Sequence, residues 1–153
     1  MSLTLQELCA HFCAIAQVAS PELREENDGT TAFNIFWRDV TIDLMAQPSA
    51  DPAHALVLFH MGTPDPAHSE YPRILQALLQ TNFVNLRANQ PVLSCQPETG
   101  AAVLQWAIPL TGTTAGQLFQ WIEHGVDLVL QWRESHFLAP ASAPGRDAAA
   151  NFA

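Results

Sequence analysis

The short connections between three strand-like segments restrict the fold more than any other feature of this sequence. Residues 31–37, 40–45 and 55–61 are rich in aromatic, aliphatic and β-branched side chains, as strands are. Only the dipeptide Arg-Asp at 38–39 separates the first two, and turn-forming residues at 47–52 separate the second from the third. Because parallel neighbours need a crossover of about a dozen residues or more, these segments are predicted to form an antiparallel meander.

The segment before these strands has the pattern of an amphipathic helix. Apolar residues recur at helical spacing between residues 3 and 20, and Thr4 with Glu7 makes a capping box at its start. Pro21 is expected to end this helix, because proline lacks an N–H and pushes the preceding residue out of the α region. The acidic residues and the Asn-Asp-Gly sequence within 21–30 predict a solvated loop.

Two more helices and a hairpin are predicted after the meander. Ser69 is the predicted N-cap of the second helix, and Pro72 falls in its first turn, where a missing N–H costs least. Either Thr113 or Thr114 can cap the last helix. The last helix is predicted to end near residue 137. The remaining two strands are predicted at residues 91–96 and 101–108, where a Pro-Glu-Thr-Gly turn joins them into a hairpin.

These elements predict one α+β domain at residues 1–138. Its order is helix, three-stranded antiparallel meander, helix, two-stranded hairpin, helix. Residues 139–153 are rich in Ala and Pro without periodicity, and are predicted to be a C-terminal tail outside the domain.

The charge of the chain argues against several classes of partner. Six Arg, no Lys and 15 acidic residues give a formal net charge of −9, which repels phosphate backbones and anionic lipids. Neither nucleic acid nor a membrane is therefore expected as a partner. The three cysteines contain no CxxC pair, and no apolar run approaches the length of a membrane span. A cytoplasmic location is expected.

No pattern of residues predicts catalysis, a cofactor or a metal. Cys9 and Cys13 lie one helical turn apart without a third ligand nearby, so they are interpreted as small buried thiols. Asp39 and Asp43 share a strand face but alternate with apolar residues, which makes them solvent-side charges. No nucleophile elbow, phosphate loop or zinc-protease motif is present, so the chain is not expected to be an enzyme.

Several short sequences, in this order, resemble the Tir-chaperone-like family of class I type III secretion chaperones. They are LLQTNF at 78–83, QPETG at 96–100, AVLQ at 102–105 followed by IPL at 108–110, and Trp132 near the end of the last helix. The resemblance implies a bacterial, cytoplasmic homodimer assembled through the central helix. It further implies an effector protein as the client, bound as an extended segment and kept soluble and competent for secretion.

Site residues follow from this resemblance together with the residue spacing. Leu75, Leu78, Leu79 and Phe83 form one stripe of the central helix and are the candidate dimer interface, although spacing alone suits an internal core stripe equally well. The candidate client-binding residues are Leu5, Phe12, Phe33, Ile35 and Trp37. Phe33, Ile35 and Trp37 share one face of the first strand and Asn34 with Phe36 the other, so one aromatic side should be left for a client.

Two other functions fit the same fold. One is an interaction or regulatory module that binds a folded protein partner. The other is a small-ligand enzyme with its pocket between the sheet and the last helix. Capture of an extended, protease-protected client segment would distinguish the chaperone from the first of these, and substrate turnover would indicate the second.

Overall fold

The computed structural model of the chain describes residues 3–85 and 87–138. The elements in chain order are α1 (Leu5–Ala16), β1 (Arg24–Glu25), β2 (Thr31–Trp37), β3 (Val40–Ala46), β4 (His54–Gly62), α2 (Tyr71–Val84), β5 (Val92–Cys95), β6 (Ala102–Pro109) and α3 (Ala115–Ser135). The strands form one six-stranded sheet in the order β1-β2-β3-β4-β6-β5, and every neighbouring pair is antiparallel. The predicted α+β order is confirmed, and the hairpin joins the meander because β6 pairs with β4.

The turns of both hairpins follow from local chemistry. Arg38 and Asp39 have φ of 50° and 62°, the left-handed pair that a tight hairpin turn between β2 and β3 requires. Gly100, at φ 70°, closes the second hairpin, and its N–H donates to the carbonyl of Gln96. The tight turns predicted from the sequence are therefore present.

The first helix is shorter than predicted, and the loop after it contains a strand. α1 ends at Ala16 because Gln17 takes a left-handed conformation and its N–H donates to the carbonyl of Cys13. The helix thus ends before Pro21 is reached. Arg24 and Glu25 form β1 by pairing with Ala32 and Thr31, an element too short for sequence periodicity to reveal.

The helix caps are confirmed at two of three sites. Thr4 and Glu7 form the capping box of α1, and Thr114 forms another with Gln117 at the start of α3. Ser69 is not the cap of α2: that helix begins after Glu70, which makes no side-chain cap hydrogen bond. Pro72 does fall in the first turn of α2, as predicted.

The core lies between one face of the sheet and helices α1 and α3. Strands β2, β3 and β4 alternate between buried and more exposed residues, so each directs one set of side chains to the helices. α1 and α3 contact each other and lie against the central strands. The core includes Leu8, Phe12, Ile42, Leu44, Phe59, Leu104, Leu118, Ile122 and Val126. The opposite side of the sheet, which α1 and α3 do not cover, is the outer face.

Arg133 connects the last helix to the ends of two strands. Its Nε donates to the carbonyl of Met61 at 2.8 Å, Nη1 to that of Asp39 at 2.7 Å, and Nη2 to that of His60 at 2.9 Å. A planar guanidinium spreads its N–H donors over three nitrogens, so it can satisfy three separate carbonyls at once, which an apolar side chain cannot do.

Replacing Arg133 with Met is expected to lower the free energy of unfolding by about 1–2 kcal/mol, because three carbonyls lose a charged donor at a partly solvated site. Chemical denaturation at fixed protomer concentration measures the change. Arg73→Met is the matched control: Arg73 forms only an exposed ion pair with Glu70, so its loss should cost less than about 0.5 kcal/mol. Equal losses in the two variants would contradict the role given to Arg133.

Candidate protein-binding surfaces

The outer edge of β2 is paired with another strand at only two of its seven residues, in the part of the chain that the structure describes. A tight hairpin loop closes on a hydrogen-bonded residue pair, here Trp37 with Val40, and such pairs alternate along the strands. The main-chain groups of Asn34 and Phe36 therefore point away from β3. β1 covers the edge only at Thr31 and Ala32, and in the described residues no strand lies beyond Asn34 and Phe36. This edge can accept another extended chain by β-augmentation.

Phe36 is the large apolar side chain beside this open edge. Its side chain is 63% exposed and lies on the outer face, because its neighbours Ile35 and Phe33 point into the core. Burying a phenylalanine on binding contributes about 2–3 kcal/mol. The edge therefore offers both main-chain hydrogen bonds and an apolar contact.

A polar group lies next to Phe36 on the outer face. The Asp43 carboxylate accepts a hydrogen bond from Nδ2 of Asn34 at 2.7 Å and lies 2.6 Å from Nε2 of His60. Asp39 and Asp43, predicted to share a strand face, do not form a carboxylate pair for acid–base catalysis, because Asp39 sits in the turn and only Asp43 lies in the strand. Each polar side chain of this group has a hydrogen-bonding partner within the group. The outer face beside the edge of β2 is therefore partly polar.

The opposite edge of the sheet is closed at its centre by a side chain of α2. Asn82 donates through Nδ2 to the carbonyl of Leu93 and accepts through Oδ1 from the N–H of Leu93, both at 2.8 Å. These are the outward-facing main-chain groups in the middle of β5. Another extended chain therefore cannot form hydrogen bonds with these groups at the middle of β5.

α2 presents an exposed apolar stripe on the side that faces away from the core. Leu79, Phe83 and Val84 are 70%, 80% and 77% exposed, and together with Gln76 and Gln80 they line an open groove of about 500 Å³. Residues four apart lie on one side of a helix, so Leu79 and Phe83 form a continuous strip. An apolar surface of this kind on a helix is typical of a protein interface.

The four residues of the candidate dimer interface do not lie on one surface. Leu79 and Phe83 are exposed, Leu75 is half-buried, and Leu78 is 3% exposed and belongs to the protomer's core. The stripe is divided because Leu78 and Ile74 are directed inward. Val84, which spacing alone did not suggest, extends the exposed part.

The structure places four of the five candidate client-binding residues in the core. Leu5, Phe12, Phe33 and Ile35 are buried, and Trp37 is half-buried in ring contacts with Phe12 and Phe119, at 5.6 and 5.5 Å between centroids. In this conformation α1 and α3 cover Phe33 and Ile35 on the sheet, and Leu5 and Phe12 lie on the buried side of α1. The aromatic side chain that remains exposed on β2 is Phe36, on the other face.

The two cysteines of α1 are buried thiols. Cys9 and Cys13 are buried, and burial, with the neighbouring Cys13 thiol second, raises the pKa of Cys9 to about 12. Such a thiol is protonated and unreactive at neutral pH.

No group of three or more His, Cys, Asp or Glu within residues 3–85 and 87–138 could hold a metal ion. None of the helices described is long and apolar enough to cross a bilayer.

Comparison with known proteins assigns this arrangement to one family. The profile of the family described as Tir chaperone protein (CesT) matches residues 10–133, most of the chain and all of the sheet. Among curated proteins, none matches the sequence.

Several solved structures share the fold at 16% sequence identity. A chain of the ExsC-ExsE complex matches with a TM-score of 0.64, covering 94% of this chain and 100% of the other. One from the HopA1-SchA chaperone-effector complex gives 0.58, with 84% and 91% covered. One from the ExoT-SpcS complex of Pseudomonas aeruginosa gives 0.52, with 82% and 94% covered.

Proposed function

Because the chain belongs to the Tir chaperone protein (CesT) family, we propose that it is a type III secretion chaperone. It binds an extended segment of an effector protein in the bacterial cytoplasm, and keeps that protein soluble and competent for secretion. It acts by binding rather than by catalysis and needs no cofactor. Solved relatives of the same fold include the chaperone-effector complex of SchA with HopA1, which supports an effector as the partner.

The observation that carries this proposal is the open edge of β2. An unfolded client has free main-chain donors and acceptors, and the edge at Asn34 and Phe36 can satisfy them without requiring a particular client sequence. Phe36, 63% exposed, supplies apolar contact that the client's own side chains can cover. A binding mode based on main-chain groups suits a partner that is held unfolded.

We also propose that the chaperone is a homodimer joined through α2. Leu79, Phe83 and Val84 form an exposed apolar surface that a second copy of the same helix can cover, because a two-fold axis pairs one self-complementary patch with itself. The edge of β2 is a different surface from this stripe, so each protomer keeps its edge for the client.

Co-expression with the product of the neighbouring reading frame, as the candidate effector, tests the function. The purified complex is treated with protease, and we expect a protected extended effector segment together with an intact chaperone.

Phe36→Ser is expected to lower the affinity for this segment about tenfold or more, since it removes a large apolar contact from the edge of β2. Isothermal titration of the isolated segment into each variant measures the change.

Val92→Ser is the matched control for this experiment. Val92 is also an exposed apolar residue on an edge strand, 52% exposed, but its strand is closed by Asn82. Its substitution should change client affinity less than about twofold. If no segment is protected, or if a folded effector domain binds with equal affinity, the chain is an interaction module for folded partners rather than a chaperone of this kind.

A further inference from the structure

A small cavity opens on the outer face of the sheet, at the end away from Phe36. Met45, Leu56 and Ala107 lie side by side on β3, β4 and β6, since Met45 pairs with Leu56 and Leu56 with Ala107. They form an apolar floor. The sides of the cavity are formed by Thr30 and by residues Gln47, Ala50 and Asp51 of the loop between β3 and β4. The volume of the cavity is about 260 Å³. None of these floor residues belongs to the core that α1 and α3 cover.

The size of the cavity suits a side chain rather than a metabolite. Pockets for small molecules are generally about 300–1,000 Å³, whereas a cavity of about 150 Å³ already accepts benzene. The observed 260 Å³ therefore accommodates one large side chain such as Leu, Met, Phe or Trp. The apolar floor excludes a charged occupant from the interior, because burying an unpaired charge is costly.

Asp51 lines the cavity, and a second carboxylate, Asp28, is hydrogen-bonded to two of the lining residues, Thr30 and Gln47. The Asp51 carboxylate contacts Nδ1 of His54 at 3.0 Å and accepts from the N–H of Ala53 at 3.0 Å, and these contacts hold its pKa below the usual range. The pKa of Asp28 is also lowered, first by its hydrogen bonds with Thr30 and further by one with Gln47, which lines the cavity. Both carboxylates are therefore charged at neutral pH.

No strong cation offsets these carboxylates at the cavity itself. Among the residues that line it, His54 is the one side chain able to carry a positive charge, and it is already paired with Asp51. Arg24 stands in the same cross-strand row, beyond Ala32, about 10 Å from Met45 at the usual strand spacing. The rim therefore attracts a cation from the occupant, and it repels another copy of this chain, whose net charge is −9.

We propose that this cavity is an anchor site for the client, which receives one large apolar side chain of an effector segment that carries Arg or Lys directly beside it. The proposal rests on the chaperone function given above and adds a sequence preference to it. Main-chain pairing at β2 is indifferent to sequence, whereas the cavity selects a basic residue next to an apolar one. The two surfaces lie on the same outer face, because Ala32 pairs with Met45 and Phe36 follows Ala32 by four residues.

Three short peptides test the anchor site without knowledge of the effector. They carry Arg-Leu-Arg, Arg-Ser-Arg or Glu-Leu-Glu between identical Gly-Ser flanks, and binding is followed by NMR through the methyl signals of Met45 and Leu56. We expect the Arg-Leu-Arg peptide to bind at least about tenfold more tightly than either of the others. Its affinity should fall as salt is raised, because exposed charges are screened. Equal binding of all three, or shifts confined to other regions, would overturn the proposal.

Two variants separate the anchor site from the general function. Ala107→Phe fills the cavity from an exposed strand position. This variant should lower the affinity for both the Arg-Leu-Arg peptide and the natural effector segment about tenfold. Ala14→Phe, at an exposed position of α1, is the matched control and should leave both unchanged. If A107F captures the effector segment as well as the unsubstituted protein while F36S does not, the anchor proposal fails and the chaperone proposal stands. If the unsubstituted protein captures no effector segment, the chaperone proposal itself fails.

Discussion

Replacing Gly125 with alanine is expected to lower the free energy of unfolding by about 2–3 kcal/mol, although alanine is the better helix former by about 1 kcal/mol. A Cβ at this position would lie 2.3 Å from Cζ of Phe59 and 2.6 Å from its Cε1. Phe59 is completely buried in the centre of β4, so its ring has no free space into which to move. The loss corresponds to a drop of about 5–10 °C in Tm.

Gly116 provides the matched control on the same helix. Apart from its two chain neighbours and the backbone of its own helix, no atom lies within 4 Å of a Cβ built there, so Gly116→Ala should be neutral or slightly stabilising. The double variant Gly125→Ala with Phe59→Leu should be more stable than the sum of the two single changes predicts, because the smaller side chain makes room for the methyl group. Denaturation of all variants at one protomer concentration is required, since dimerisation shifts apparent stability. An unchanged or raised stability of G125A would contradict this close approach of α3 to the sheet.

Replacing Phe83 with aspartate is expected to convert the proposed dimer into a folded monomer. Phe83 is 80% exposed in the protomer, so the substitution should not disturb the core. A two-fold interface contains the substituted residue twice, and each copy would leave a carboxylate without a partner in an apolar contact. Taking each as a hot spot of about 2 kcal/mol, the dissociation constant should rise about a thousandfold.

Size-exclusion chromatography with light scattering, at several protein concentrations, measures this change. Ile15→Asp is the control, because Ile15 is an exposed apolar residue, 48% exposed, on a different helix; that variant should remain a dimer. Circular dichroism should show that both variants are folded. A monomeric unsubstituted protein at micromolar concentration would remove the basis for the proposed interface, and a dimeric Phe83→Asp variant would place the interface elsewhere.

Much of the fold could be predicted because its signals are local. Alternation along β3, the tight turn at Arg38 and Asp39, the capping box at Thr4 and the cap of α3 at one of two neighbouring threonines each depend on residues within a few positions of one another. Two of the features that were missed depend on distant residues. β1 exists only because Ala32 and Thr31 are available as partners, and Gly125 is required only because Phe59 lies beneath it.

The sequence by itself determined the three helices, five of the six strands, the antiparallel meander and the existence of two different faces on β2. Only the tertiary structure decided which of those faces is covered. α1 and α3 both pack on the face that carries Phe33 and Ile35, so Phe36 is left exposed on the outer face. The physical reason is that periodicity shows which side chains share a face, because it depends on neighbouring residues. The burial of a face depends on helices that are distant in sequence, and no local pattern records where they pack.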